Sequence, residues 1–311
     1  MVRFSLAIIT LVFVGLSSAQ TIDDRNYKLS IDVELVQIPV SVIDKHSLPV
    51  RGLPQEYFSV YEDKVLQNIS LFKQEDMPLS ICLVIDVSGS MLDKLNRLKA
   101  ATTTFMRASN PDDEFAIVSF AGEVFLEQDF NGQKGNLSHT LNDMQYNHGT
   151  ALYDAVYLAS RYLSNNGSRE NKVMLLVTDG EDNNSKYDFK QVLRAVGESK
   201  ITVYTIGLLG YSGYDDTPKK TLQQLAEVTG GASFFPKKVT EVEEICSRVA
   251  RDLRNQYTIG YRPSNRNLDG SWRKVVVRLN TPKNTPNFKV RTKQGYYAPD
   301  VKREPERDAL K

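Results

Sequence analysis

The chain has 311 residues, 41% hydrophobic and 25% charged, which is an ordinary globular balance with material for about two domains. A formal net charge of +1, with no basic or acidic block, excludes bulk electrostatic attraction to nucleic acid or to an anionic membrane. Two cysteines are too few for a disulfide framework, and Cys82 and Cys246 read as small buried apolar groups, with a disulfide between them as the alternative.

The N-terminus carries Arg3, an apolar run from Leu6 to Leu16, and the small residues Ser17-Ser18-Ala19. This predicts a signal peptide over residues 1–19, cut after Ala19, with an uncleaved anchor as the alternative. The run is short for a bilayer span, which needs about 20 apolar residues, and no later segment is apolar enough to cross. Removing residues 1–19 takes Arg3 from the 39 basic residues and leaves 38 against 38 acidic ones. The expected location is outside the cytoplasm: periplasmic, cell-surface or extracellular.

Residues 20–78 read as an N-terminal β region. Leu29, Ile31, Val33 and Leu35 alternate with polar residues, then Ile38, Val40 and Val42 continue in the opposite phase. That slip near Val36 and Pro39 predicts a bulge or an edge strand. Short runs at Tyr57–Tyr61 and Ile69–Phe72 add strands. From 79 to 255 apolar runs alternate with helical patterns. The strands are Leu79–Ile85, Phe115–Phe120, Val124–Leu126, Val173–Val177, Ile201–Ile206 and Ser233–Phe235. Helices are predicted after Ser90, with Leu92, Leu95, Leu98 and Phe105 marking one face, and at Leu152–Leu163, Phe189–Val196, Leu222–Val228 and Val242–Leu253. This order predicts an α/β fold with a mostly parallel sheet covered on both faces. Period two returns over 256–298, with strands at Tyr257–Tyr261, Val275–Leu279, Phe288–Thr292 and Tyr296-Tyr297, and Asp269-Gly270 as a hairpin-turn signal. Residues 299–311 read as a charged tail. The two β regions are each small, so they are expected to pair into one sandwich with the α/β domain inserted between them.

Three motifs carry chemistry, and two of them directly follow buried strands: Asp86-Val87-Ser88-Gly89-Ser90, Gly149-Thr150, and Thr178-Asp179-Gly180-Glu181-Asp182. Ligands of open α/β sheets bind outside the carboxyl ends of the strands. Asp86 and Asp179 offer carboxylates, and Ser88, Ser90 and Thr150 offer hydroxyls. An all-oxygen set suits Mg²⁺, Mn²⁺ or Ca²⁺, whereas Zn²⁺ is disfavoured without Cys or His. Gly89 is expected to let the loop turn tightly. Alone, the first motif also fits a helix N-cap.

Asp86, Ser88, Ser90, Thr150 and Asp179, in this order and context, resemble the metal-ion-dependent adhesion site of von Willebrand factor type A domains, over roughly residues 79–255. The resemblance implies a Rossmann-like, six-stranded, mostly parallel sheet with one antiparallel edge strand at Val124–Leu126. It implies direct metal contacts from Ser88, Ser90 and Thr150, with Asp86 and Asp179 acting largely through water. Outside that range Ile38–Asp44, Pro49–Leu53, Phe58–Asp63, Tyr257–Pro263 and Arg291–Pro299 resemble exported type A proteins common in acidobacteria.

The leading expectation is therefore an exported, non-enzymatic adhesion module whose cation captures an Asp or Glu of a partner protein. Around the cation, loops 91–94, 145–149, 181–187 and 209–217 would set specificity, with His148, Glu181, Asp182, Tyr211 and Tyr214 as candidate partner contacts. Alternatives are a metal-stabilised structural or envelope-assembly protein and a hydrolase. Against the last, the Gly-x-Ser-x-Gly elbow and a P-loop lysine motif are absent. Nothing in the sequence fixes the oligomeric state.

Overall fold

The computed structural model describes residues 35–130, 137–144, 146–209, 216–282 and 285–300. The signal-peptide segment, the alternation at Leu29–Val33, Tyr211, Tyr214 and most of the tail lie outside these residues.

Two flanks of antiparallel strands enclose an α/β domain. The first flank supplies β1 (Val36–Ile43), β2 (Phe58–Glu62), β3 (Val65–Gln67) and β4 (Ile69–Lys73). The second supplies β11 (Tyr257–Tyr261), β12 (Trp272–Leu279), β13 (Lys289–Thr292) and β14 (Gly295–Tyr297). They mix completely, giving sheets of order β13-β1-β11-β4 and β14-β12-β2-β3. Ile38, Val40 and Val42 from one flank share an apolar cluster with Phe58, Val60, Tyr257, Ile259, Tyr261, Val275 and Val277. Neither flank could bury these faces alone.

Between β4 and β11 runs the central domain: β5 (Leu79–Asp86), α1 (Leu95–Arg107), β6 (Glu114–Phe120), β7 (Val124–Gln128), α2 (Leu137–Asp143), α3 (Leu152–Asn166), β8 (Asn171–Thr178), α4 (Phe189–Glu198), β9 (Ile201–Gly207), α5 (Thr217–Thr229), β10 (Ser233–Phe234) and α6 (Val242–Leu253). Its sheet has the order β10-β9-β8-β5-β6-β7, parallel except for β7, which pairs antiparallel at the edge. All eight residues of β5 are buried, because helices cover both faces. Leu83 and Ile85 pack toward α1 and α6, whereas Cys82 and Val84 pack toward α3, α4 and α5. Cys246 lies on the α6 side, so the two free thiols stand on opposite faces of the sheet, and burial pushes each up to about 12. α5 ends where Gly230 adopts φ 84°, a left-handed cap.

The structure corrects four sequence expectations. β1 is an interior strand without a bulge: it pairs with β11 over Val36–Val40 and with β13 over Val40–Ile43. Pro39 is tolerated because it sits just outside the β13 ladder. Leu92 is 51% exposed, and Met91 is buried instead. The cause is a 3₁₀ turn at Gly89–Met91, which shifts the phase before α1 begins. Asp269-Gly270 is no hairpin turn, since β11 and β12 belong to different sheets. That turn instead ties back to the chain after β14, where Gly270 N–H donates to the Pro299 carbonyl at 3.2 Å. Finally, α2 and β3 are additional elements, too short for periodicity to reveal.

Ile38 is fully buried where both flanks meet. Ile38→Ala is expected to lower unfolding free energy by about 2–5 kcal/mol, measured by chemical denaturation. A loss below about 0.5 kcal/mol would contradict a shared core.

Candidate metal centre

The chain runs from β5 outward to β6 and β7, then crosses back to β8 on the other side of β5. The crevice between the carboxyl ends of β5 and β8 is therefore the switch point of the sheet, where such folds bind ligands. Asp86 ends β5 and Thr178 ends β8.

Asp86 is fully buried, and both of its carboxylate oxygens accept hydrogen bonds. Oδ1 takes the Ser88 N–H at 2.9 Å, and Oδ2 takes the Thr178 hydroxyl at 2.6 Å. Burial pushes the Asp86 carboxyl above its ordinary range, and the charge of Asp179 adds to this; the bonds from Ser88 and Thr178 oppose it. Thr178, which opens the third motif but had no role assigned from sequence, thus joins the two strand ends through one side chain. Its Oγ1 also accepts the Gly180 N–H at 3.0 Å. Gly180 has φ 85°, a conformation that a side chain would strain, and so the chain reverses directly after Asp179.

Asp86 thereby sets the serine loop. Ser88 is buried, Ser90 is exposed, and their hydroxyl oxygens lie 3.2 Å apart. The Ser90 hydroxyl donates to Asp179 Oδ2 at 2.5 Å. Gly89 does not act as expected: it has no positive φ, and an added Cβ would meet open space. The 3₁₀ turn that starts there positions the serines.

Backbone bonds bring the Thr150 loop to the same place. Asn147 N–H donates to the Val87 carbonyl at 2.9 Å, beside the serine loop. Thr150 N–H donates to Asn183 Oδ1 at 2.9 Å, and the Thr150 carbonyl accepts from Asn183 N–H at 2.9 Å and Asn184 N–H at 3.1 Å. These bonds use the Thr150 backbone and leave its hydroxyl for another partner. Gly149, at φ 78°, turns the loop against Gly122. Asn147, Asn183 and Asn184 are positioning residues that no short motif announces.

The candidate partner contacts separate. His148 and Glu181 are exposed beside the site. Asp182 is half-buried and engaged, accepting from Tyr153 N–H at 3.2 Å and from the Ser185 hydroxyl at 2.5 Å, so it anchors the start of α3.

Two carboxylates, three hydroxyls and an exposed mouth at Ser90 form an oxygen-only donor set that fits a hard divalent cation. Among the described residues no three His, Cys, Asp or Glu side chains gather as a metal cluster.

The family model of the von Willebrand factor type A domain matches residues 80–248. A mouse protein, calcium-activated chloride channel regulator 1, is 26% identical over 165 residues, which is 50% of this chain but only 17% of that protein. Among solved structures, a von Willebrand factor type A protein from Catenulispora acidiphila is 13% identical, with a TM-score of 0.50 over 89% of this chain and 76% of that one. Proximal thread matrix protein 1 from the mussel byssus, described with a zinc-occupied MIDAS motif, is 17% identical, with a TM-score of 0.50 over 62% of this chain and 49% of that one. At these identities the solved structures show a shared fold.

Thr178→Val keeps the shape but removes the donor to buried Asp86. It is expected to lower stability by about 1–3 kcal/mol in denaturation and to weaken Mg²⁺ binding in calorimetry, with Thr178→Ser retaining both. Unchanged stability and affinity in Thr178→Val would refute the positioning role.

Proposed function

This chain belongs to the von Willebrand factor type A domain family, and from that premise we propose an exported, non-enzymatic module that captures an acidic side chain of a partner protein through a divalent cation. The observation that carries the reading is the contact between Ser88, Ser90 and Asp179 at the mouth of the crevice, above the buried Asp86.

Mg²⁺ or Mn²⁺ bound there would supply an electrophilic centre with exchangeable positions, and Ca²⁺ is the third candidate. Ser88, Ser90 and Thr150 would hold it through neutral oxygens. Asp86 keeps the serine loop in place from below, and Asp179 balances charge from the side. With little anionic charge in direct contact, a carboxylate from another protein is the natural complement. Zinc in the mussel protein's motif belongs to that protein; here the oxygen-only donors favour the harder ions.

The non-enzymatic reading rests on the hydroxyls' contacts. Ser88 meets Ser90 and Ser90 meets Asp179, so neither serine is paired with an imidazole base. Export rests on the N-terminal apolar run. Among the described residues no helix is long and apolar enough to cross a membrane.

The test is a pull-down with Mg²⁺ and with chelator, followed by replacement of the partner's acidic residues one at a time. Binding should fall at least tenfold with chelator, with one partner Asp or Glu, and with Thr150→Ala. If binding survives all three, the cation is structural and the envelope-assembly reading replaces this one. Hydrolysis of a model ester or phosphate that is lost in Ser88→Ala would overturn the non-enzymatic assignment.

A further inference from the structure

Away from the metal centre, a cleft of about 770 Å³ lies between the sandwich and the α5, β10 and α6 side of the central domain. Two strands on its walls have an open edge. β12 pairs with β14 only over Trp272–Lys274 and with β2 over Val275–Leu279. Along Val275–Leu279 its other edge thus has no strand partner among the described residues. Among the described residues β13 is the last strand of its sheet and pairs only with β1. The seam is closed at one end, where Val275 N–H donates to the Gln294 carbonyl at 2.9 Å. Beyond that bond the two strands belong to different sheets and share no ladder among the described residues. Edge strands carry unused N–H and C=O groups, and extended peptides pair with such edges.

The charge of the cleft selects the peptide. Arg291 is committed to Asp252. The other lining cations are Arg248, Lys274, Lys289 and Lys293, and the lining carboxylates are Asp252, already paired with Arg291, and Glu227. None of these four has a carboxylate partner among the described residues. Arg248 lies over the Phe234 ring at 5.5 Å and Lys293 over the Tyr296 ring at 5.5 Å. Burial, with Lys200 nearby, pushes the Lys293 amine down to about 8, so its positive charge is under-compensated. Arg291 Nε is also buried without an acceptor among the described residues.

We propose that this seam is a second binding site, which takes an extended acidic segment of a partner protein as an added strand between β12 and β13. Main-chain pairing along the open edges gives affinity, and the surrounding cations give preference for Glu and Asp. The site shares no residue with the metal centre, so its binding is independent of the divalent cation.

The probe is a fluorescent peptide of about eight residues alternating Glu and Val, measured by anisotropy on the full chain in chelator. A Lys/Val peptide, inorganic phosphate and polygalacturonate serve as controls. Lys274 and Lys289 are exposed, so Lys274→Glu with Lys289→Glu should leave the melting curve unchanged. The expected result is binding of the Glu/Val peptide that falls about tenfold or more in the double variant. Amide hydrogen exchange should slow at Val276–Leu279 and Val290–Arg291 when the peptide binds. Absence of binding, equal binding of the Lys/Val peptide, or displacement by phosphate alone would overturn the proposal. Equal binding of polygalacturonate without amide protection would assign the cleft to an acidic polysaccharide instead and equally overturn it.

Discussion

A carboxylate shut off from the surface needs partners for its oxygens, and at Asp86 that requirement organises the crevice. One oxygen holds the backbone of the serine loop and the other holds the last side chain of β8. The bonds oppose the cost of burying the charge, and in exchange they fix two loops from different strands in one arrangement. Ser88 and Ser90 stand side by side because the loop beneath them has no freedom to turn elsewhere. The exposed part of the site is thus pre-organised by a residue that is itself wholly inside.

The same logic recurs where the central domain joins the sandwich. β4 leads into the domain and β11 leads out, and the two are hydrogen-bonded neighbours. Arg254 bridges both connectors, reaching Asp76 at 2.6 Å and buried Asp113 at 2.5 Å, while Asp113 also accepts the Leu79 N–H at 2.8 Å. Removing Arg254 would leave Asp113 as an uncompensated buried charge, the situation that costs about 3–5 kcal/mol. Farther along, Arg291 of β13 meets Asp252 of α6, whose other partner is the Tyr204 hydroxyl of β9. A second buried cluster closes the sandwich: Glu62 accepts from Tyr261 at 2.8 Å and from Tyr296 at 2.7 Å. Those three residues come from separate flanking motifs, so the flanks are joined by polar specificity as well as by apolar burial.

Buried strands and long helices were legible because period and burial coincide: α6 and β11 begin and end at the residues that periodicity indicates. Asp86, Ser88, Ser90 and Asp179 stood out as candidates because hydroxyl and carboxylate residues follow apolar runs at two strand ends, and Thr150 because Gly149-Thr150 precedes the helical pattern of α3. Less legible were features set by contacts distant in sequence. Thr178 opens a motif, but its role shows only when Asp86, 92 positions away, is seen to need its hydroxyl. Pro39 suggested an edge because its own strand says nothing about where a neighbouring ladder starts. Gly89 suggested a tight turn, yet the left-handed conformations that need glycine fall on Gly149 and Gly180. Asp182 looked like a free rim acid until its Tyr153 and Ser185 partners were placed.

The central claim is that buried Asp86 organises a divalent-cation site without being needed for the fold around it. Electron paramagnetic resonance of Mn²⁺ titrated into the wild-type chain and Asp86→Ala, with circular dichroism on the same samples, tests this directly. The account predicts about one bound Mn²⁺ in the wild type, loss of that signal in the variant, and matching dichroism spectra. Equal Mn²⁺ binding by both proteins would contradict it.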